Sequence, residues 1–154
     1  MKIMGIDPGL TGALVVLSDL GPINIVDMPV WDGRVDAQLV HEFLKHIKPD
    51  VVVVEQTQPM PKNGCKATFS LGMNTGILLG VIGSLGLPMT RLRPQEWKKI
   101  NGILGRPGKD ASRALASELW PAYSGSFKRV KDDGRADAAL IARAYQLNYL
   151  RKAS

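Results

Sequence analysis

Four consecutive valines, Val51 to Val54, run without polar interruption into one carboxylate, Glu55. β-Branched residues favour extended chain, and a strand lacking polar alternation has to be covered on both faces. The run therefore reads as a central strand with helices packed above and below its sheet. A second apolar run, Ile3-Met4-Gly5-Ile6, ends the same way on Asp7. An ionised carboxylate is costly to desolvate unpaired, so acids at the ends of buried strands mark places where something is held. If the two strands lie side by side and parallel, Asp7 and Glu55 emerge at the same sheet edge. A third acidic cluster, Asp132-Asp133-Gly134-Arg135-Ala136-Asp137, opens the last helical segment and can bring Asp137 across them.

The segments between complete a mixed five-stranded sheet. Ile3 to Asp7, Ala13 to Leu17 and Ile23 to Met28 are separated by the Pro8-Gly9 and Gly21-Pro22 breaks and predict an antiparallel meander. After Asp32-Gly33, the residues Val35, Leu39, Val40, Phe43, Leu44 and Ile47 recur at helical spacing, and Lys48-Pro49-Asp50 stops that helix. A loop from Gln56 to Lys66 precedes an uncharged helix from Ala67 to about Leu85. A strand from Pro88 to Leu92 follows, then a short helix opened by Pro94 and running to Ile100. A Gly/Pro-rich loop over Asn101 to Gly108, a helix from Lys109 to Trp120 and a last helix from about Gly134 to Leu150 finish the chain. The fold class is α/β, in a single domain over residues 1–154, with no repeats and no interdomain linker.

Composition limits the setting. Cys65 is the one cysteine, so no internal disulfide can form, and a reducing cytoplasm is expected. The N-terminus enters a strand with no basic n-region or small-residue cleavage site, so no secretory signal is expected. Residues Ala67 to Thr90 carry no charge, a stretch long enough to span a bilayer. Its five glycines, Asn74, Pro88 and hydroxyl residues make a buried helix followed by a strand the better reading, with no membrane partner. Charge is lopsided: residues 91–154 hold fourteen Lys/Arg against six Asp/Glu, and residues 1–90 hold six against eight. A basic half beside an acidic pocket suggests a polyanion gripped by cations, with the acids at its centre.

Three or four converging carboxylates make a hard-oxygen site for Mg²⁺ or Mn²⁺. Asp7 and Glu55 are the first two candidates; the alternative roles are an Asx turn for Asp7 and an ion pair for Glu55. Asp137 sits among Ala138, Leu140, Ile141 and Ala144, which face it toward the sheet. Asp133 is one turn below Asp137 on the same helical face and is preferred over Asp132 as a fourth acid; one of the pair can instead serve the helix N-terminus. Candidate phosphate contacts are Lys98, Lys99, Arg106, Lys109, Arg113, Lys128, Arg129, Lys131 and Arg135, with Lys131 and Arg135 foremost because they flank the acids. Gly72, Gly76 and Gly80 form a small-residue stripe at four-residue spacing. It either packs the helix tightly on its own sheet or pairs it with a second chain. Nothing has zinc spacing or a Ser-His-Asp arrangement.

Taken in order, these residues resemble the RuvC-type Holliday junction resolvases of the RNase H-like superfamily, particularly the short phage forms. The resemblance runs through Gly5-Ile6-Asp7-Pro8-Gly9, Val54-Glu55-Gln56, Lys62-Asn63, Leu71-Gly72 and Gly76, then Arg93-Pro94-Gln95-Glu96-Trp97-Lys98 and Asp133-Gly134-Arg135-Ala136-Asp137-Ala138. It implies an RNase H-like fold in a bacterial cytoplasm. It also implies a homodimer, joined at or near the glycine-striped helix, that binds four-way DNA junctions and nicks two strands symmetrically. Lys62 joins the DNA-contacting candidates. Bacterial members carry an acid or His three positions before the last Asp, where this chain has Gly134, and Asp133 is the nearest substitute. They also present an aromatic wedge soon after the Glu, where this chain offers Met60.

The chemistry expected of such a site is two-metal hydrolysis, with two Mg²⁺ (or Mn²⁺) ions about 3.5–4 Å apart across the scissile phosphate. Asp7 would touch both ions, Glu55 one side, and Asp137 with Asp133 the other. Other readings are a less selective nuclease acting on flaps, forks or RNA–DNA hybrids, and an inactive module that only binds branched nucleic acid. The Asp7-Pro8-Gly9-Leu10-Thr11 turn also fits the first strand of actin-like ATPases, but those need two lobes to enclose a nucleotide.

Overall fold

The computed structural model describes residues 1–59, 61–62, 64–106 and 110–153, the last three without their side chains. Strands β1 (Ile3–Asp7), β2 (Ala13–Ser18) and β3 (Gly21–Asp27) form the expected meander. A two-residue hairpin follows, β4 (Val30–Trp31) and β5 (Arg34–Val35). Its turn residues Asp32 and Gly33 both take positive φ, 50° and 69°, as tight hairpins require. This corrects the sequence expectation, in which Val35 opened the helix. Val35 instead ends β5, and Asp36 caps helix α1 (Ala37–Ile47) by accepting from the Leu39 N–H. Leu39, expected on the buried face, is 55% exposed.

Next come β6 (Val51–Glu55), α2 (Cys65–Ser84), β7 (Met89–Leu92), α3 (Pro94–Ile100) and α4 (Ala111–Leu119). Two 3₁₀ turns, Pro121–Phe127 and Val130–Asp132, lead into α5 (Asp133–Ala153). The main sheet has the order β3-β2-β1-β6-β7, with the first three strands antiparallel and β1, β6 and β7 mutually parallel. Register pairs Ile6 with Val54, so the next residues, Asp7 and Glu55, leave the sheet together.

The apolar runs alternate into two cores. Met4, Ile6, Val52 and Val54 face α1 and α2 through Val40, Leu44, Leu78 and Ile82. Ile3, Val51 and Val53 face the other side, against Trp97, Leu115, Leu140 and Ile141. Both faces of β6 are thus covered by helices, the arrangement its unbroken valines demand.

Helix α5 meets β1 backbone to backbone. A Cβ placed on Gly5 would lie 2.0 Å from the Ala138 carbonyl oxygen and 2.8 Å from the Ala142 nitrogen. Alanines 136, 138, 139, 142 and 144 make that approach possible, and all are fully buried. Higher up, a Cβ on Gly134 would lie 2.5 Å from the Thr11 carbonyl oxygen. Close contact at both points fixes where α5 delivers its acids.

Helix α2 departs from the expected buried helix. It is long and apolar enough to cross a membrane by length and composition, yet its buried residues are only Asn74, Thr75, Leu78 and Ile82. Asn74 accepts from the Val35 N–H and donates to Ser70, and Thr75 shares a hydrogen bond with Thr57. Nothing lies within 4 Å of a Cβ placed on Gly72, Gly76 or Gly80. The glycine stripe is therefore not used for packing within the described residues of the chain.

Candidate active site

The parallel pairing of β1 and β6 puts Asp7 and Glu55 side by side at the C-terminal edge of the sheet. The turn after β1 is held by the Gly9 N–H, which donates to Asp7 Oδ1 at 3.1 Å, and by the Gly12 N–H, which donates to the Gly9 carbonyl. Gly12 has no room for a side chain, because a Cβ there would meet the Asp7 carbonyl oxygen. With that turn pinned and α5 seated on Gly5, Asp137 opens into the same cleft as Asp7, Thr11, Asp27, Lys131, Asp133 and Gly134.

Electrostatics bind the three acids into one group. Burial pushes the Asp7 carboxyl up from 3.8 to about 6; the Gly9 N–H opposes this, and the Glu55 charge adds to it. Burial likewise raises Glu55, opposed by a hydrogen bond from Trp97 and reinforced by Asp137. Asp137 is also pushed to about 6 by burial, eased by a hydrogen bond to Ser112 and worsened by Asp7. Each acid thus raises another, and Lys98 draws all three down. Half-buried carboxylates that destabilise one another's charge gain most from a bound cation.

That donor set suits a hard divalent ion, since all three donors are carboxylate oxygens with no soft ligand among them. As the side chains stand, no three His, Cys, Asp or Glu residues among those described are gathered closely enough to hold an ion.

The C-terminal acids divide by role. Asp132 is 1% exposed and ion-paired to Arg129 at 2.9 Å, and its Oδ2 accepts from the Arg129 N–H. These bonds hold its carboxyl below the usual range, so Asp132 serves the entry to α5. Asp133 is 47% exposed and lines the cleft, but Arg113 of α4 is paired with it and also reaches the Lys128 carbonyl. Of the two acids weighed in the sequence, Asp133 lines the cleft and Asp132 does not.

The cations expected to meet phosphate are not equally free. Arg135 grips Asp27 with two bonds of 2.6 and 2.7 Å and approaches Asp132 at 3.6 Å; Arg129 is taken by Asp132. Both are expected phosphate contacts that carry an acid partner within the chain, Arg129 while staying 53% exposed. Lys62, Lys99, Arg106, Lys128 and Lys131 are exposed, and Lys98 lies half-buried over the acids. Met60, Asn63 and Lys109 lie outside the described residues.

Sequence reasoning missed Trp97, Ser112, Arg113's hold on Asp133, and Asp27. For Trp97 a signal existed: a buried indole N–H needs an acceptor, and this one donates to Glu55 Oε2 at 2.7 Å.

No family model matches the chain. It is 37% identical over 89 residues to the chloroplastic Holliday junction resolvase MOC1 of Chlamydomonas reinhardtii, a match covering 58% of this chain and 10% of that protein. It is 29% identical over 164 residues to the crossover junction endodeoxyribonuclease RuvC of Rhizobium johnstonii, covering 96% of this chain and 90% of that one. The fold matches Thermus thermophilus RuvC with a TM-score of 0.70 at 21% identity, covering 99% of this chain and 97% of that one. The same protein in complex with a Holliday junction substrate aligns with a TM-score of 0.67 at 21% identity, over 100% and 97% of the two chains.

Proposed function

We propose that this chain, a homologue of the RuvC-type Holliday junction resolvases with their RNase H-like fold, is a structure-selective DNA endonuclease that resolves four-way junctions by metal-dependent phosphodiester hydrolysis. The observation that carries the reading is the meeting of Asp7, Glu55 and Asp137 from β1, β6 and α5, with Lys98 beside them. Half-buried carboxylates that repel one another are a poor structural device and a good cation trap.

Divalent ions of the Mg²⁺ or Mn²⁺ type, two per site, would supply the charge that activates water and stabilises the leaving oxygen. The chain's own residues do the rest. Asp7, central among the acids and fixed by the Gly9 N–H, faces both neighbours; Glu55 and Asp137 close the two sides. Asp133 is the fourth donor once Arg113 releases it. Ser112 keeps Asp137 oriented through its hydrogen bond. Lys98 holds positive charge where a scissile phosphate has to sit, and the exposed Lys62, Lys99, Arg106, Lys128 and Lys131 extend that charge along a DNA arm.

We further propose that the protein works as a homodimer through α2. The open glycine stripe supports this, because three glycines in a helix cost stability that no contact within the described chain repays. Two sites related by a twofold would cut two strands of a junction symmetrically. The bacterial relatives support a cytoplasmic, DNA-acting protein.

The test is to incubate the protein with an immobile four-way junction, a linear duplex and an RNA–DNA hybrid, each with Mg²⁺ or with EDTA. Paired nicks confined to the junction, absent with EDTA and with Asp7→Asn, are expected. Equal cutting of all three substrates would remove the selectivity, and binding with no cutting would remove the nuclease.

A further inference from the structure

Trp97 is fully buried on α3, and its indole N–H donates to Glu55 Oε2 at 2.7 Å. A buried donor that loses its acceptor has no water to replace it, so this bond resists breaking. The backbone at Trp97 is tied to α5 through the residue that caps α3. Asn101 Nδ2 donates to the Trp97 carbonyl at 2.8 Å and to the Leu140 carbonyl of α5 at 2.9 Å. Arg143, also on α5, donates to Asn101 Oδ1 at 2.8 Å. Glu55 is thereby tied through Trp97 and Asn101 to the helix that carries Asp137.

The tether limits what Glu55 can offer. With Oε2 committed to the indole, Oε1 is the oxygen without that bond. An ion taken by both oxygens would have to share Oε2 with the indole N–H, which disfavours that mode. Mg²⁺ is small, keeps several waters and takes carboxylates sparingly, whereas Ca²⁺ readily accepts both oxygens of one carboxylate in a larger, looser shell.

We propose that Trp97 is a positioning residue that holds Glu55 by one oxygen, so that Glu55 gives a divalent cation a single donor and the site favours Mg²⁺ over Ca²⁺. The inference rests on the metal-dependent nuclease reading and adds to it a determinant of which ion is accepted. A purely space-filling role for the same ring would change stability without changing ion preference.

Calorimetric titration of the metal-free protein with MgCl₂ and with CaCl₂, in the absence of DNA, tests it in wild type and in Trp97→Phe. Phe keeps an aromatic ring but lacks the donor. Loss of a partner that orients a metal ligand costs about 10–100-fold in affinity, so Mg²⁺ binding should weaken about tenfold or more. Ca²⁺ binding should hold or tighten. An unchanged Mg²⁺/Ca²⁺ ratio in a folded Trp97→Phe protein would overturn the inference while leaving the nuclease reading intact.

A second measurement needs no Trp97 variant. The indole N–H signals of Trp31, Trp97 and Trp120 can be assigned with Trp31→Phe and Trp120→Phe and followed as MgCl₂ is added to the full chain. The Trp97 signal should stay downfield and slow to exchange at saturating Mg²⁺. A shift to a free indole position would mean that Glu55 has left it, which overturns the inference even if Trp97→Phe does not fold. A wild type that binds neither ion and cuts no junction would instead bring down the nuclease reading itself, and this inference with it.

Discussion

Replacing Gly5 with alanine should damage both stability and cutting, because the methyl has nowhere to go. Its ideal position is 2.0 Å from the Ala138 carbonyl oxygen and 2.8 Å from the Ala142 nitrogen. Both neighbours are helix backbone, so neither can rotate aside. Restoring an ordinary 3.4 Å contact requires α5 to retreat by about 1.4 Å from that 2.0 Å approach. Overpacking of this kind costs about 1–3 kcal/mol, and backbone on both sides puts Gly5→Ala at or above the upper figure. At a urea dependence of about 2 kcal/mol/M the midpoint should fall by about 1.5 M. The retreat also carries Asp137 away from Asp7, and misplacement on the order of 1 Å costs about 100-fold in rate. The assay pairs urea unfolding with Mg²⁺-dependent junction nicking at a temperature where both proteins are folded. Gly72→Ala is the control. Its Cβ meets nothing within 4 Å, so helix propensity should raise the stability of the isolated chain by about 1 kcal/mol. A Gly5→Ala protein with the wild-type midpoint and nicking rate would refute the backbone contact between α5 and β1.

Further outcomes follow from the acids and the stripe. Burial raises the Asp7 pKa from 3.8 to about 6, so the folded protein holds that proton more tightly than the unfolded chain. The resulting stability is complete below about pH 4 and is lost as pH rises through about 6. Asp7→Asn, which cannot ionise, should be up to about 3 kcal/mol more stable than metal-free wild type at pH 7.5; a stability gap independent of pH would contradict this. Asp132→Asn should lower the urea midpoint by weakening its pair with the exposed Arg129 yet leave junction cutting intact in the folded fraction. Asp133→Asn should do the reverse, and matching effects from the two would erase the distinction between them. Gly76→Leu should convert a dimer to a monomer in sedimentation, with the fold retained by circular dichroism.

The central strands and their acids were legible because the same residues carry both signals. The valines of β6 leave no polar face, and a parallel neighbour with the same length before its acid puts Asp7 and Glu55 in register without further information. Short elements were not legible. β4 and β5 are two residues each, too brief for alternation to register, and Val35 fits a helical stripe equally well. Long-range polar bonds were invisible for a different reason. The Trp97–Glu55 bond spans 42 residues and the Arg135–Asp27 pair spans 108, and no local pattern in charge or hydropathy marks either. The cations flanking the acids were read by proximity in sequence, yet Arg129 and Arg135 are held by Asp132 and Asp27. The open side of α2 follows from glycines whose purpose a single chain does not reveal.

Gly134 sits with its α-carbon hydrogens against the backbone of Thr11 and Gly12. Every variation at that point is filtered by the turn after β1, because any side chain there strikes the loop that positions Asp7. A side chain at 134 can be accommodated only if the Thr11-Gly12 backbone gives way, and that backbone closes the turn that holds Asp7. The entry to α5 and the shape of the loop after β1 therefore form one unit, and neither can change without the other.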